Sequence, residues 1–248
     1  MKAYLLLLAQ SGFILLTIVC LWLLMKELKK GIEKSSWNEA RKKKFFSGIL
    51  ITAILWMIFV SIWSASGIMS DFSKFPFNFM PVIIIPLITV VITLFSQRLA
   101  EILQNISVAN LIRLQSFRFF VELLLWALFV AGLAPEQMTF EGRNFDVLTG
   151  ITAPLIAWLV SRNKISRAAL TVWNVAGMLL LINIVTVAIL STPSPLRIFM
   201  NEPANTIVTH FPVSWLPGFL VPLAYTLHFF SLKQLLSKTY NAAELKAA

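Results

Sequence analysis

The sequence predicts an all-α membrane protein, a polytopic bundle of about seven transmembrane spans with the N-terminus outside and the C-terminus cytoplasmic. Composition comes first: 58% of the 248 residues are hydrophobic and 13% charged, against about 25% charged in a soluble domain. Second, the apolar residues gather in runs suited to crossing about 30 Å of hydrocarbon. Third, the Lys and Arg residues behind the net charge of +10 crowd into alternate gaps between those runs.

The apolar runs lie near 4–25, 45–65, 79–95, 119–134, 147–160, 168–190 and 216–232. In hydrocarbon each must be helical, because an unpaired backbone group costs several kcal/mol and barrel strands would alternate apolar with polar residues. The first run exceeds the roughly 7–15 apolar residues of a signal-peptide core, and no small-residue cleavage site follows, so it is expected to stay. The fifth is short and contains Gly150 and Pro154, which raises a re-entrant hairpin as the alternative to a span. Charge argues for the span. Seven crossings place seventeen of the 21 Lys and Arg residues on one side, leaving Lys2, Lys74, Arg143 and Arg197 on the other. Such asymmetry over short loops marks the basic side as cytoplasmic; a re-entrant fifth run would put Arg162, Lys164 and Arg167 outside. The whole of 1–248 reads as one transmembrane domain of a cell inner (plasma) membrane.

Between the third and fourth runs, near 97–112, Leu99, Ile102, Leu103 and Ile106 repeat at helical spacing opposite Arg98, Glu101, Gln104 and Asn105. This is the pattern of an interfacial amphipathic helix. The segment from Thr192 to Pro212 holds Pro193, Pro195, Pro203 and Pro212, which forbid a continuous helix and imply an irregular cap over the outer face. Trp63, Phe75, Phe77 and Trp215 lie near the outer boundaries, where aromatic rings favour the headgroup level.

The motifs RLQSFR before the fourth run, FEGRNFDVLTGITAP entering the fifth, WNVAG in the sixth and FPVSWLPGFLVPLAYTLH into the seventh cover about the C-terminal half. In these stretches the chain resembles a group of uncharacterised bacterial multi-pass membrane proteins. The resemblance implies a bacterial membrane setting and no particular activity.

An ionisable group inside a span costs about 2.5–3.5 kcal/mol and calls for a partner or a purpose. Glu122 and His228 are two such groups. Arg118 precedes Glu122 by one helical turn, so a simple ion pair at the cytoplasmic boundary, with Arg118 reaching for the headgroups, is the plain reading. The sharper one gathers Arg118, Glu122, Asn174 and His228 into an intramembrane polar cluster, since each lies a few residues inside a basic boundary; interhelical hydrogen bonding alone would also account for His228. A second candidate is the outer-loop cluster of Glu141, Arg143, Asn144 and Asp146. There Asp146 is placed to cap the helix starting at Val147, and Arg143 to pair with Glu141 or Glu136 or to receive a carboxylate or phosphate.

No metal site and no cofactor are expected. Two histidines at different depths and the single Cys20, within the first run, suit neither haem nor zinc, and the seventh run lacks the lysine that retinal would need. Nucleic acid is excluded as a partner because the basic residues form membrane-flanking loops rather than one face. Phosphate-binding loops, serine elbows and paired metal motifs are absent from the sequence, which weakens an enzymatic reading. Three classes stay open: a carrier or binding protein for a small amphipathic or organic ligand, a membrane-embedded enzyme acting on a lipid, and a structural or sensory partner of another membrane protein. A carrier calls for interrupted helices, and Pro86, Pro154 and Pro222 are the expected points of interruption.

Overall fold

A computed structural model describes residues 2–237; the tail lysines Lys238 and Lys246 lie outside the described residues. These are helical or irregular, with no β-strand among them. In chain order the helices are α1 (Lys2–Glu33), α2 (Glu39–Ala65), α3 (Met80–Leu94), α4 (Gln97–Gln104), α5 (Val108–Leu114), α6 (Phe117–Val130), α7 (Val147–Ser161), α8 (Arg167–Leu190) and α9 (Val221–Leu236), the last preceded by a π-helical turn, Leu216–Leu220.

Four segments are long and apolar enough to cross a bilayer: α1, α2, α8 and Leu216–Leu236. Helices α3 and α4 pass only as a pair bent by 81°. The third, fourth and fifth runs give helices of 15, 14 and 15 residues, each only about 21–23 Å long at 1.5 Å per residue. Leu15 and Trp22 on α1, Leu55 and Ile62 on α2, Ile88 and Ile92 on α3, and Leu179 on α8 are exposed. An apolar exterior of that extent is unstable in water and fits an integral membrane protein.

The bundle is built around α9. With its preceding π-helical turn, the apolar stretch of Leu216–Leu236 is 67% buried, against 11–28% for the other three long helices. Helix α8 offers it a narrow stripe of Leu170, Asn174, Gly177, Leu181, Ile184 and Val187, spaced three or four residues apart so that they share one face. Contacts between distant residues define two ends. At the upper end Ser64 Oγ donates to Thr209 O at 2.7 Å and Gln137 Nε2 to Ser191 Oγ at 3.0 Å. At the lower end Asn110 Nδ2 donates to Glu27 at 2.9 Å, and Ser36 and Trp37 hold Glu101.

The expected helix near 97–112 is divided at Asn105–Ser107 into α4 and α5. Its apolar face, Leu99, Ile102, Leu103 and Ile106, is buried in the protein core rather than left for lipid. The foot of α9 braces the division: Gln234 Nε2 donates at 2.7 Å to Ile106 O and also to Leu103 O, which already accepts from the Ile106 N–H. Nor do the prolines interrupt the helices. α3 continues through Pro86 and α7 through Pro154, while Pro222 sits in the first turn of α9. Having no N–H, Pro222 leaves the carbonyl of Gly218, four residues earlier, without its helical donor; the Trp56 indole donates to it at 2.8 Å. Trp215 likewise packs inward, its indole on Ser61 Oγ at 2.9 Å.

Candidate functional site

The helical path breaks at Gln115–Ser116, between α5 and α6. Together these two helices run antiparallel to α1, with Asn110 against Glu27 below and Leu124 against Gly12 above. The break therefore lies about halfway along, and Arg118 sits just past it. The sequence reading put Arg118 at a boundary; the structure buries it, 2% exposed.

A second interruption meets the first. Residues after α6 turn back and descend beside α8 through one 3-10 turn, Glu136–Met138, and irregular turns: Gln137 bonds Ser191, the Arg143 carbonyl accepts from Asn183 at 2.9 Å, and Asp146 reaches the level of Gly177. From Ser191 to Gly177 is 14 residues of α8, a descent of about 21 Å. Within this run of turns Arg143 and Phe145 are exposed while Asn144 and Asp146 are buried, and the turns close on themselves, the Gly142 and Asn144 backbone N–H groups both donating to Thr139 O. Helix α7 begins only at the bottom of the descent and continues downward, its Ala153, Ala157 and Val160 packed with Val108, Ala109 and Ile112 of α5.

At the meeting point one network joins four elements. The Arg118 guanidinium donates from Nε to Asp146 Oδ2 at 2.6 Å and pairs through Nη2 with Oδ1. Nη2 also reaches Gly177 O at 3.1 Å, and Nη1 lies 2.8 Å from His228 Nε2. A guanidinium has hydrogens only to give, so Nε2 is the acceptor and the imidazole hydrogen is on Nδ1, 3.0 Å from Asn174 Oδ1. Asn174 is oriented for this because its amide nitrogen donates to Leu170 O at 2.9 Å. His228 is thus a neutral, fully engaged imidazole. A Cβ on Gly177 would lie 2.6 Å from His228 Cε1, so the absence of a side chain there lets the ring rest on α8.

Glu122 does not join the histidine. Its carboxylate faces Asn144, whose Nδ2 lies 2.6 Å from both oxygens and 3.0 Å from Met138 O. Asn144 Oδ1 in turn accepts from the Asp146 backbone N–H at 3.1 Å. Glu122, Asn144 and Asp146 line one end of a cavity of about 70 Å³, whose walls include Val121, Leu125, Leu181, Ile184 and, near the top, Val208 and Pro217. The cavity occupies the upper half of the bundle.

The two clusters read from the sequence are therefore one, with altered membership. Arg118, Asn174 and His228 come together, Asn144 and Asp146 join them from the supposed outer loop, and Glu122 turns to Asn144. Asp146 does not cap α7 with its side chain, because both carboxylate oxygens face Arg118. Arg143 lies over the Phe199 ring at 5.0 Å instead of pairing with Glu141 or Glu136, and Glu141 accepts from Trp126 at 2.7 Å on the surface. Gly177 escaped the sequence reading, although its place one turn after Asn174 was the available signal. Among the described residues no group of three or more His, Cys, Asp or Glu side chains could hold a metal.

Residues 74–236 match the model of a family described as a domain of unknown function. The match reaches further toward the N-terminus than the motifs of the C-terminal half and includes every residue of the network. No curated protein and no solved structure matches the chain.

Proposed function

The chain belongs to that family, DUF8737, and on this premise we propose that it is a carrier of a small amphipathic organic molecule, bound in the cavity above Glu122, Asn144 and Asp146. The observation behind the reading is that two interrupted passages of chain, α5–α6 and 135–161, meet at a buried charged network under an apolar cavity. Irregular backbone at membrane depth is tolerated where it is buried in protein or lines a cavity, and carriers place substrates at such interruptions.

The topology proposed with it is seven crossings, N-terminus outside and C-terminus cytoplasmic, in the inner membrane. The fourth crossing is α5 with α6; the fifth is the irregular descent followed by α7. The basic loops support this orientation, with Arg118 removed from the loop tally. A lipid-modifying enzyme would need His228 or Glu122 beside a nucleophile or metal, and both ring nitrogens of His228 are already engaged.

Cysteine accessibility tests the carrier reading in a Cys20→Ser background. In membranes, Leu181→Cys on the cavity wall should react with an impermeant maleimide applied from the outer face. Ala157→Cys, below the network and packed against α5 in this structure, should react from the cytoplasmic face once α7 parts from α5, as alternating access requires. Labelling of Leu181→Cys alone would make the protein a binding protein or receptor instead of a carrier. Protection of both would leave no role for the cavity.

A further inference from the structure

We infer that the cavity takes a small organic monocation, a primary alkylammonium whose charged head rests on the Glu122 carboxylate; this deepens the reading of the cavity as a binding site and rests on it.

The network holds two carboxyl groups, Glu122 and Asp146, but one guanidinium. Arg118 is committed to Asp146, to Gly177 O and to His228. His228 supplies no charge, because its Nε2 accepts from that guanidinium. Glu122 is left with the amide of Asn144, whose two hydrogens must serve three acceptors, both Glu122 oxygens and Met138 O. A carboxylate has about four acceptor sites, so one shared amide nitrogen leaves acceptor capacity on Glu122, which lines the cavity. An ammonium brings one positive charge and three donors.

The walls decide what carries the charge. Val121, Leu125, Leu181, Ile184 and Val185 suit hydrocarbon and offer no oxygen to a metal ion, which as a hard cation wants about six or more oxygen ligands. An anion would abut both carboxylates without a free guanidinium edge to receive it. The volume sets the size. At about 70 Å³ the cavity is near half of the roughly 150 Å³ that holds benzene, so the head is followed by about two or three carbons.

Saturation-transfer NMR on the full-length protein in deuterated detergent micelles tests this with ethylammonium, ethanol and acetate as probes. Ethylammonium should bind, ethanol at least about tenfold more weakly, and acetate not at all. Glu122→Gln should weaken ethylammonium about tenfold or more and leave ethanol unchanged. If that variant does not fold, the ranking on the unaltered protein decides alone. Equal binding of ethanol and ethylammonium, a preference for acetate, or indifference of ethylammonium to Glu122→Gln would overturn the assignment while retaining the cavity as a site. Failure of all three probes also overturns it, and the labelling of Leu181→Cys then tells whether the cavity reading falls as well.

Discussion

Arg118 on α6 grips Asp146, 28 residues further along the chain, through two nitrogens of its guanidinium, and both side chains are buried. The pair fastens the midpoint of one interrupted passage to the midpoint of another, where the irregular descent gives way to α7. Two-pronged Arg–carboxylate geometry is the strong form of such a bond, and desolvation makes it sensitive to loss of one partner rather than of both.

Asp146→Asn should therefore lower stability by about 3–5 kcal/mol, as expected for an orphaned buried charge, measured by denaturation of the purified protein in micelles. Arg118→Met combined with Asp146→Leu should recover a large part of that loss. If the losses from Arg118→Met and Asp146→Leu made singly simply add within about 0.5 kcal/mol in the double variant, the pair does not hold the passages together.

Gly177→Ala should displace the His228 ring, because the new Cβ would sit 2.6 Å from Cε1 and 2.8 Å from Nε2. Overpacking of this kind costs about 1–3 kcal/mol. His228→Ala in the same chain removes the clash, so the double variant should be less damaged than the sum of the two. A strictly additive result would mean that the ring moves aside freely.

Trp56→Phe should cost about 0.5–1.5 kcal/mol, the net value of a hydrogen bond, by leaving the Gly218 carbonyl without the indole donor. Pro222→Ala restores a backbone N–H four residues after Gly218. In that background Trp56→Phe should become nearly silent, whereas an undiminished loss would assign the effect to ring packing.

Glu202 accepts from Arg197 and from the Ala204 backbone N–H, both at 2.9 Å. The Arg197 hydrogen bond, with that of Ala204, holds its carboxyl below the ordinary value of 4.5. The sign follows: this contribution is present above the unfolded value and is lost as pH falls through the lower folded one. Hydrogen exchange across 194–205 should be flat from neutral pH down to about pH 5, after correction for intrinsic rates, and accelerate in stronger acid. Acceleration between about pH 5 and 7 would point to another group, since unperturbed carboxylates titrate near 4.

The apolar runs, the helical class and the loops separating them were legible in the sequence, because hydrophobic length is a local property read residue by residue. The polar positions worth attention were legible for the same reason: Arg118, Glu122, Asn144, Asp146, Asn174 and His228 stand out against their surroundings. Their partners were not. Counting depth from the nearest basic loop assumed unbroken helices, so Arg118 and Asp146 were assigned to opposite boundaries. A break at Gln115–Ser116 and an irregular descent after α6 bring them together.

What the sequence by itself determined is the solvent, the helices and the list of polar groups that must find partners. Only the tertiary structure decided which partner each one has and where the helices are interrupted. Prolines were the expected sites of interruption, yet Pro86 and Pro154 sit inside continuous helices. The break between α4 and α5 is completed by a side chain remote in sequence, Gln234, which donates to Leu103 O and Ile106 O, whereas that at Gln115–Ser116 is closed by local backbone bonds and sends the Gln115 side-chain amide to Ala224 O of α9. In a bundle that hides its backbone from water, a break is stable only if its polar groups are satisfied inside the protein, and which remote side chains reach it is a property of the packed bundle, outside any local window of residues.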